Sequence, residues 1–370
     1  MARKCALYIL RFAWLIGLLG LAATLNSCRR TVAAPPSGPP EAVMKAIHDY
    51  GSDHPGLLMP ALSAKSPDET DEAYDAKIEQ LIVKRDFAQL EKIAVQNRVE
   101  KGRVLGGFWK NSTFFSATSY PLVATDAAYQ ERMAILKQWV AAYPESAAAR
   151  ISLAEDYIAY ANFGRGCAYA NQVTDQQWRF YYERTAQAKA ILLEAAQLKE
   201  RDPHWYQVMQ YVAHNDGWDK AHARQLLDDA IAYEPGYYHF YRSHAEYLLP
   251  KWYGEEGDIR AFAEEIATRL PSPDNSIAYF QIMSSFGCYC QDAVPELLHA
   301  SYPQLRDGYF SLTKIYGSSN LTANRFAVMA FTFGDKPSAR QAFAAVVQRD
   351  SNAWPTQESF DYARSWANTP

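Results

Sequence analysis

The stretch "LLPKWYGEEGD", residues 248–258, concentrates more reactive side chains than any other part of the chain: Trp252, Tyr253, Glu255, Glu256 and Asp258. Two carboxyls set about 5–9 Å apart across a cleft, one with a raised pKa, can cleave a glycosidic bond. Trp252 and Tyr253 offer ring faces on which a sugar stacks. The same residues also read as a joint between helices. Pro250 ends one helix, Gly254 and Gly257 turn the chain, and Asp258 caps the next. Early acids then suit the helix dipole. The joint is the stronger reading, and an envelope glycan hydrolase or lyase built on residues 255–258 is the alternative.

A second segment, "NFGRGCAYANQVTDQQW" at 162–178, is longer than a joint between repeats requires. Arg165 stands between two glycines, where its guanidinium is expected to reach a carboxylate or to plug a concave face. Loops inserted at the edge of a solenoid tend to carry binding. Arg165, Tyr169, Trp205, Trp252 and Tyr253 are therefore the candidate binding residues. Glu145-Ser146 is similar to the Glu-Ser of lytic transglycosylases, but the Gly-Leu-Met-Gln and Ala-Tyr-Asn segments of those enzymes are absent, so it reads as a helix start. The histidines make no His-Glu-x-x-His, and no nucleophile elbow, P-loop or dinucleotide fingerprint occurs. No catalytic residue, metal or cofactor is expected.

The beginning of the chain reads as an address. Arg3 and Lys4 precede the uncharged run "FAWLIGLLGLAATL", which is shorter than the roughly 20 residues a bilayer-spanning helix needs. "LNSC" then resembles a bacterial lipobox ending at Cys28. A thiol at that position is the acceptor of diacylglycerol, and cleavage frees its amine for a further acyl chain. Two or three chains hold a protein far more firmly than one, each buried CH₂ contributing about 0.8 kcal/mol. Arg29 follows instead of the Asp that commonly retains lipoproteins at the inner membrane, so the expected location is the periplasmic face of the outer membrane. In an oxidising compartment Cys167 is expected to pair with Cys288 or Cys290, because a direct bridge across "CYC" is strained.

Removing residues 1–27 moves the formal net charge from −4 to −7. That mild acidity argues against nucleic acid as a partner. Residues 1–27 are read as a signal peptide, 28–69 as a lipidated Pro-rich tether with an irregular lead-in, and 70–370 as the folded domain. Within that domain helical periodicity dominates, over approximately 70–84, 86–100, 126–143, 145–161, 175–199, 204–215, 218–232, 236–249, 257–269, 274–286, 321–333 and 337–349. A period is also present. Ala223, Leu227 and Ala230 precede Pro235, which closes a unit begun at Pro203. Gly334, Ala339, Phe343 and Val346 repeat that order, and Ala188/Ala195 echoes it. The fold expected is all-α, a tetratricopeptide-like α-solenoid of antiparallel helix pairs.

Three segments carry a resemblance to a known family: "YPESAAARISLAEDYIAYANFGRG", "AKAILLEAAQLKERDPHWYQVM" after Trp178, and "EPGYYHFYRSHAEYLLPKWYGEEGD". Together they resemble a bacterial family of tetratricopeptide-like proteins known as a domain of unknown function, over roughly residues 75–365. The resemblance implies a right-handed α-solenoid and supplies no catalytic residues. The function expected is a lipid-anchored scaffold or binding module in the cell envelope, with an unidentified envelope protein or peptide as partner.

Overall fold

The structure, a computed structural model, describes residues 38–52, 67, 69–166, 170–285 and 299–369. Among these the chain is all helix, with no strand and a single isolated bridge between Arg103 and Trp109. The helices are α1 (Glu41–Ser52), α2 (Asp71–Lys84), α3 (Phe87–Glu100), α4 (Lys110–Ser119), α5 (Asp126–Ala142), α6 (Ala147–Arg165), α7 (Asp175–Ala195) and α8 (Pro203–Asp216). They continue as α9 (Lys220–Tyr233), α10 (His239–Tyr247), α11 (Asp258–Arg269), α12 (Asp274–Ser284), α13 (Tyr302–Tyr316), α14 (Asn320–Thr332), α15 (Lys336–Ala344) and α16 (Gln357–Asn368). None of the described helices is long and apolar enough to cross a membrane.

The architecture is an α-solenoid of helix pairs. One row runs α4–α6–α8–α10–α12, each helix packing on the next, and α5, α7, α9 and α11 back that row as a second layer. Local chemistry sets the joints. Ser146, Thr174, Asp202 and Asp219 cap α6, α7, α8 and α9 by accepting from early backbone N–H groups. Such a cap is worth about 1 kcal/mol. At the end of α8, Gly217 takes the left-handed conformation that closes a helix. The repeat positions lie where the period places them: Ala188, Ala195, Ala223, Leu227, Ala230 and Ala339 are buried at helix contacts. Small side chains there let backbones approach.

Two features depart from the sequence reading. Residues 41–52 form a packed helix instead of an irregular lead-in. Val43, Met44, Ile47 and Tyr50 share one face of α1, which seats on α9, and the Tyr50 ring stacks 4.1 Å from Trp205. The second is the hairpin 101–109. Val104 N–H donates to the Phe108 carbonyl at 2.9 Å, and Trp109 Nε1 donates to the Gly236 carbonyl at 2.8 Å. Gly106 and Gly107 have φ of 84° and 79°. A Cβ on Gly106 would lie 2.4 Å from Ser319 Oγ, so the hairpin tip sits against the joint between α13 and α14. Thus it ties the segment before α4 to the joint that follows α13.

Candidate functional site

The two segments singled out in the sequence meet in space, and they meet as a structural clasp. Arg165, at the end of α6, lies 5.1 Å from the Trp178 ring and 5.3 Å from the Trp252 ring. Its Nη1 donates to the Gly166 carbonyl at 3.1 Å. The expected carboxylate partner is replaced by two indole faces, a cation–π arrangement that needs no counter-ion. Trp252 stands edge-on to His214 at 4.5 Å, and Tyr253 donates to the His214 carbonyl at 2.9 Å. Burial, with Lys251 and Arg165 beside it, takes His214 down to about 3. Trp205 is not part of this group. It is wholly buried, its Nε1 donates to the Leu192 carbonyl at 2.8 Å, and it offers no face to a partner. Tyr169 and the cysteines Cys167, Cys288 and Cys290 lie outside the described residues, as does Cys28.

The acids of the 248–258 turn are local fittings. Glu255 and Glu256 are exposed. Asp258 is the first residue of α11 and does not cap it; its Oδ2 folds back to accept from Glu255 N–H and from Lys220, both at 2.9 Å. Partial burial pushes this carboxyl up, but those two donors outweigh it and hold it below the usual carboxylate range. That direction is the opposite of what a general acid needs. Gly254 is required by space, because a Cβ there would sit 1.8 Å from the Leu248 carbonyl oxygen. Glu145 and Ser146 rim a depression of about 590 Å³ with Glu91, Tyr143, Lys199 and Glu200. Three of its groups are engaged: Trp139 Nε1 donates to Glu91 at 2.7 Å, Ala147 N–H to Glu200 at 3.1 Å, and Ser146 caps α6.

A different constellation runs through the α4–α6–α8–α10–α12 row. Glu155 of α6 accepts from Ser119 at 3.3 Å and bonds His204 Nε2 at 2.9 Å. His204 Nδ1 bonds the Tyr237 hydroxyl at 2.8 Å, and the imidazole stacks on Phe115 at 4.3 Å. Burial raises Tyr237 well above the phenol range, so it keeps its proton and donates. Ser112 of α4 lies 3.2 Å from His239 Nδ1, beside Tyr237. Arg242 Nη2 donates to that same Nδ1 at 2.9 Å. Burial first, and then the neighbouring guanidiniums of Arg242 and Arg103, hold His239 well below the usual imidazole range. The lane therefore passes through α6, α8, the joint after α9, α4 and α10. Both nitrogens of His204 are engaged within it, so the lane links these helices to one another.

Along the same row, polar groups remain that the fold does not satisfy. Gln207 Nε2 donates to Tyr211 at 2.6 Å, and Gln210 Nε2 donates to the Phe240 carbonyl at 3.2 Å. The side-chain carbonyl oxygens of Gln207 and Gln210 are buried without a partner among the described residues. Tyr211, Arg242, Ser243 and Glu246 lie half-buried beside them. Burial raises Tyr211 to about 12 and also lifts Glu246. No group of three His, Cys, Asp or Glu side chains among the described residues is arranged to hold a metal ion. The sequence reading missed this lane because its members come from segments up to 130 residues apart; the run "YYHFYR" is its one dense signal. No family model matches this sequence, and no curated protein and no solved structure matches it either.

Proposed function

We propose that this chain is a helical-repeat binding module, tethered to the bacterial outer membrane through an acylated Cys28, which holds a protein or peptide segment and catalyses nothing. Solenoids use the face of one helix row for binding. The observation that carries the reading is the set of buried, unsatisfied acceptors on Gln207 and Gln210 beside Tyr211. A buried acceptor without a donor costs about 1–3 kcal/mol, and a peptide backbone laid along the row supplies N–H donors to meet it. Membership of the tetratricopeptide-like family of unknown function belongs to the same proposal. The glycan-cleaving alternative gains no support from the 248–258 turn, whose Asp258 is held ionised by Lys220.

A photo-crosslinking residue placed at Tyr211, compared with one at the exposed Val99, tests the reading. A discrete adduct at 211 and none at 99 is expected. Equal labelling at both positions contradicts it. The anchor has its own check, the mass of the mature N-terminal peptide, where an unmodified Cys28 refutes lipidation.

A further inference from the structure

The joint between α4 and α5 holds two aliphatic side chains out to water. Leu122 is 68% exposed and its neighbour Val123 is 65% exposed. Single exposed apolar residues are ordinary, but an adjacent pair continuous with a ring cluster marks an interaction surface. The turn that carries the pair is fixed on both sides. Tyr120 N–H donates to the Ser116 carbonyl at 3.0 Å, Thr125 N–H donates to the Val123 carbonyl at 3.0 Å, and the Thr125 side chain caps α5. Tyr120 and Ala124, flanking the pair, pack on Tyr129, Ala159 and Tyr160. Phe163, itself 39% exposed, joins the same rings 5.2 Å from Tyr129.

The described chain begins at this same edge of the solenoid, and contacts trace the edge from α5 to α9. Asp126, first in α5, accepts from the Tyr160 hydroxyl near the end of α6. Arg165 ends α6 and lies 5.3 Å from the Trp252 ring, which stands 4.5 Å from His214 near the end of α8. His222 follows in the first turn of α9, where its Nδ1 bonds Asp219 at 2.7 Å. A Cβ on Gly38 would lie 2.3 Å from His222 Cε1. From there α1 runs toward the opposite edge, where Asp202 N–H, at the start of α8, donates to Tyr50 at 2.8 Å.

Length then decides which edge meets a membrane. Gly38 is the tenth residue after Cys28, and ten residues reach about 35 Å at full extension. Helix α6 alone, with 19 residues, is about 28 Å long. An acyl anchor at Cys28 therefore sets the edge of Gly38 and Leu122 toward the bilayer, since turning the opposite edge to it would use nearly the whole reach. Charge does not draw this edge to anionic lipid: the chain beyond residue 27 carries −7, and Asp126 beside the pair is exposed. Apolar burial is the force left to act there.

We propose that Leu122 and Val123, backed by Phe163, insert into the interfacial layer of the bilayer that holds the acyl anchor and give the solenoid a second membrane contact. This contact rests on the lipid-anchor reading of Cys28 and adds to it the edge that faces lipid. The helices then stand on the bilayer, and the face of the α4–α6–α8–α10–α12 row opens sideways.

The test reconstitutes the full chain, with its native N-terminus, in phosphatidylcholine vesicles, carrying an environment-sensitive fluorescent residue at position 122 or at position 347. Val347 is 88% exposed at the opposite edge, where its N–H donates to Asn320 at 2.9 Å beside the hairpin that precedes α4. Insertion by about 5–10 Å brings the 122 probe to brominated acyl chains, which should quench it by roughly half or more and leave the 347 probe unchanged. Going from about 0.1 M to about 1 M sodium chloride shortens screening from about 10 Å to about 3 Å and should not release the 122 probe. With the probe at 123, Leu122→Asp should remove most of the quenching and leave Tm unchanged, because Leu122 stands outside the core. No quenching at 122, equal quenching at 122 and 347, or release by salt overturns the proposal. The mass of the N-terminal peptide separates the two claims. An acylated Cys28 with an unquenched 122 probe sinks the membrane contact alone, whereas an unmodified Cys28 sinks the anchor and the contact that rests on it.

Discussion

The 248–258 turn and the α4–α6–α8–α10–α12 row are both rich in polar side chains, yet the fold treats them in opposite ways. In the turn three residues have plain local uses. Asp258 receives Lys220 and the Glu255 N–H, Tyr253 is bonded to the His214 carbonyl, and Gly254 fits against Leu248. In the row, buried side-chain oxygens of Gln207 and Gln210 have no partner among the described residues. A dense run of acids and aromatics in the sequence is thus used up in a joint. The buried amide oxygens of the row are instead the groups on which the proposed binding role rests.

The contrast can be broken most severely at Gly254. Gly254→Val forces a Cβ onto the Leu248 carbonyl 1.8 Å away. A loss of about 4 kcal/mol or more is expected in urea unfolding, beyond the ordinary range for point substitutions. Next comes Glu155→Ala, which strips partners from Ser119 and His204 inside the row. Hydrogen bonds to a charged group are each worth about 1.5–3 kcal/mol, so a loss of about 3 kcal/mol should appear in the same measurement.

The histidine clasp makes a pH prediction. His214 is lowered to about 3 from 6.5, so its contribution is fully present above pH 6.5 and is lost as pH falls toward 3. The slope for one such group is about 1.4 kcal/mol per pH unit. Asp156, a buried carboxyl raised by desolvation, acts in the other sense, gaining stability as pH falls below its raised value. Comparing wild type with His214→Phe isolates the histidine: stability should fall less steeply between pH 6 and pH 4 in the variant, by that amount per unit. Smallest of all is Asp258→Asn, which releases a partly exposed pair with Lys220 and should cost less than about 1 kcal/mol.

The fold was legible wherever small and apolar residues kept a helical period, as at Ala223, Leu227 and Ala230, and at Ala339 and Phe343. Helix α4 escaped because "KNSTFFSATS" is poor in helix formers and follows a glycine-rich hairpin; its helicity comes from burial against α2 and α6. Helix α13 escaped for another reason. Gly308 reads as a breaker, but it sits where a Cβ would come 2.1 Å from the Ser276 carbonyl oxygen, so it permits a close crossing with α12. Of the candidate residues, Arg165, Trp252 and Tyr253 come together in the structure as a clasp around His214. The lane of Glu155, His204, Tyr237, Ser112 and Arg242 carries no spacing signal, since four helices and a joint contribute one or two residues each.

The central claim is that the row keeps buried polar groups for a partner at a cost to stability. Replacing Gln207 by Leu, with a photo-crosslinker at position 211, measures both halves together. The account predicts a Tm equal to or above that of the unsubstituted protein and a weakened adduct. A Tm that drops sharply while the adduct is unchanged would contradict it, and would make Gln207 a structural residue.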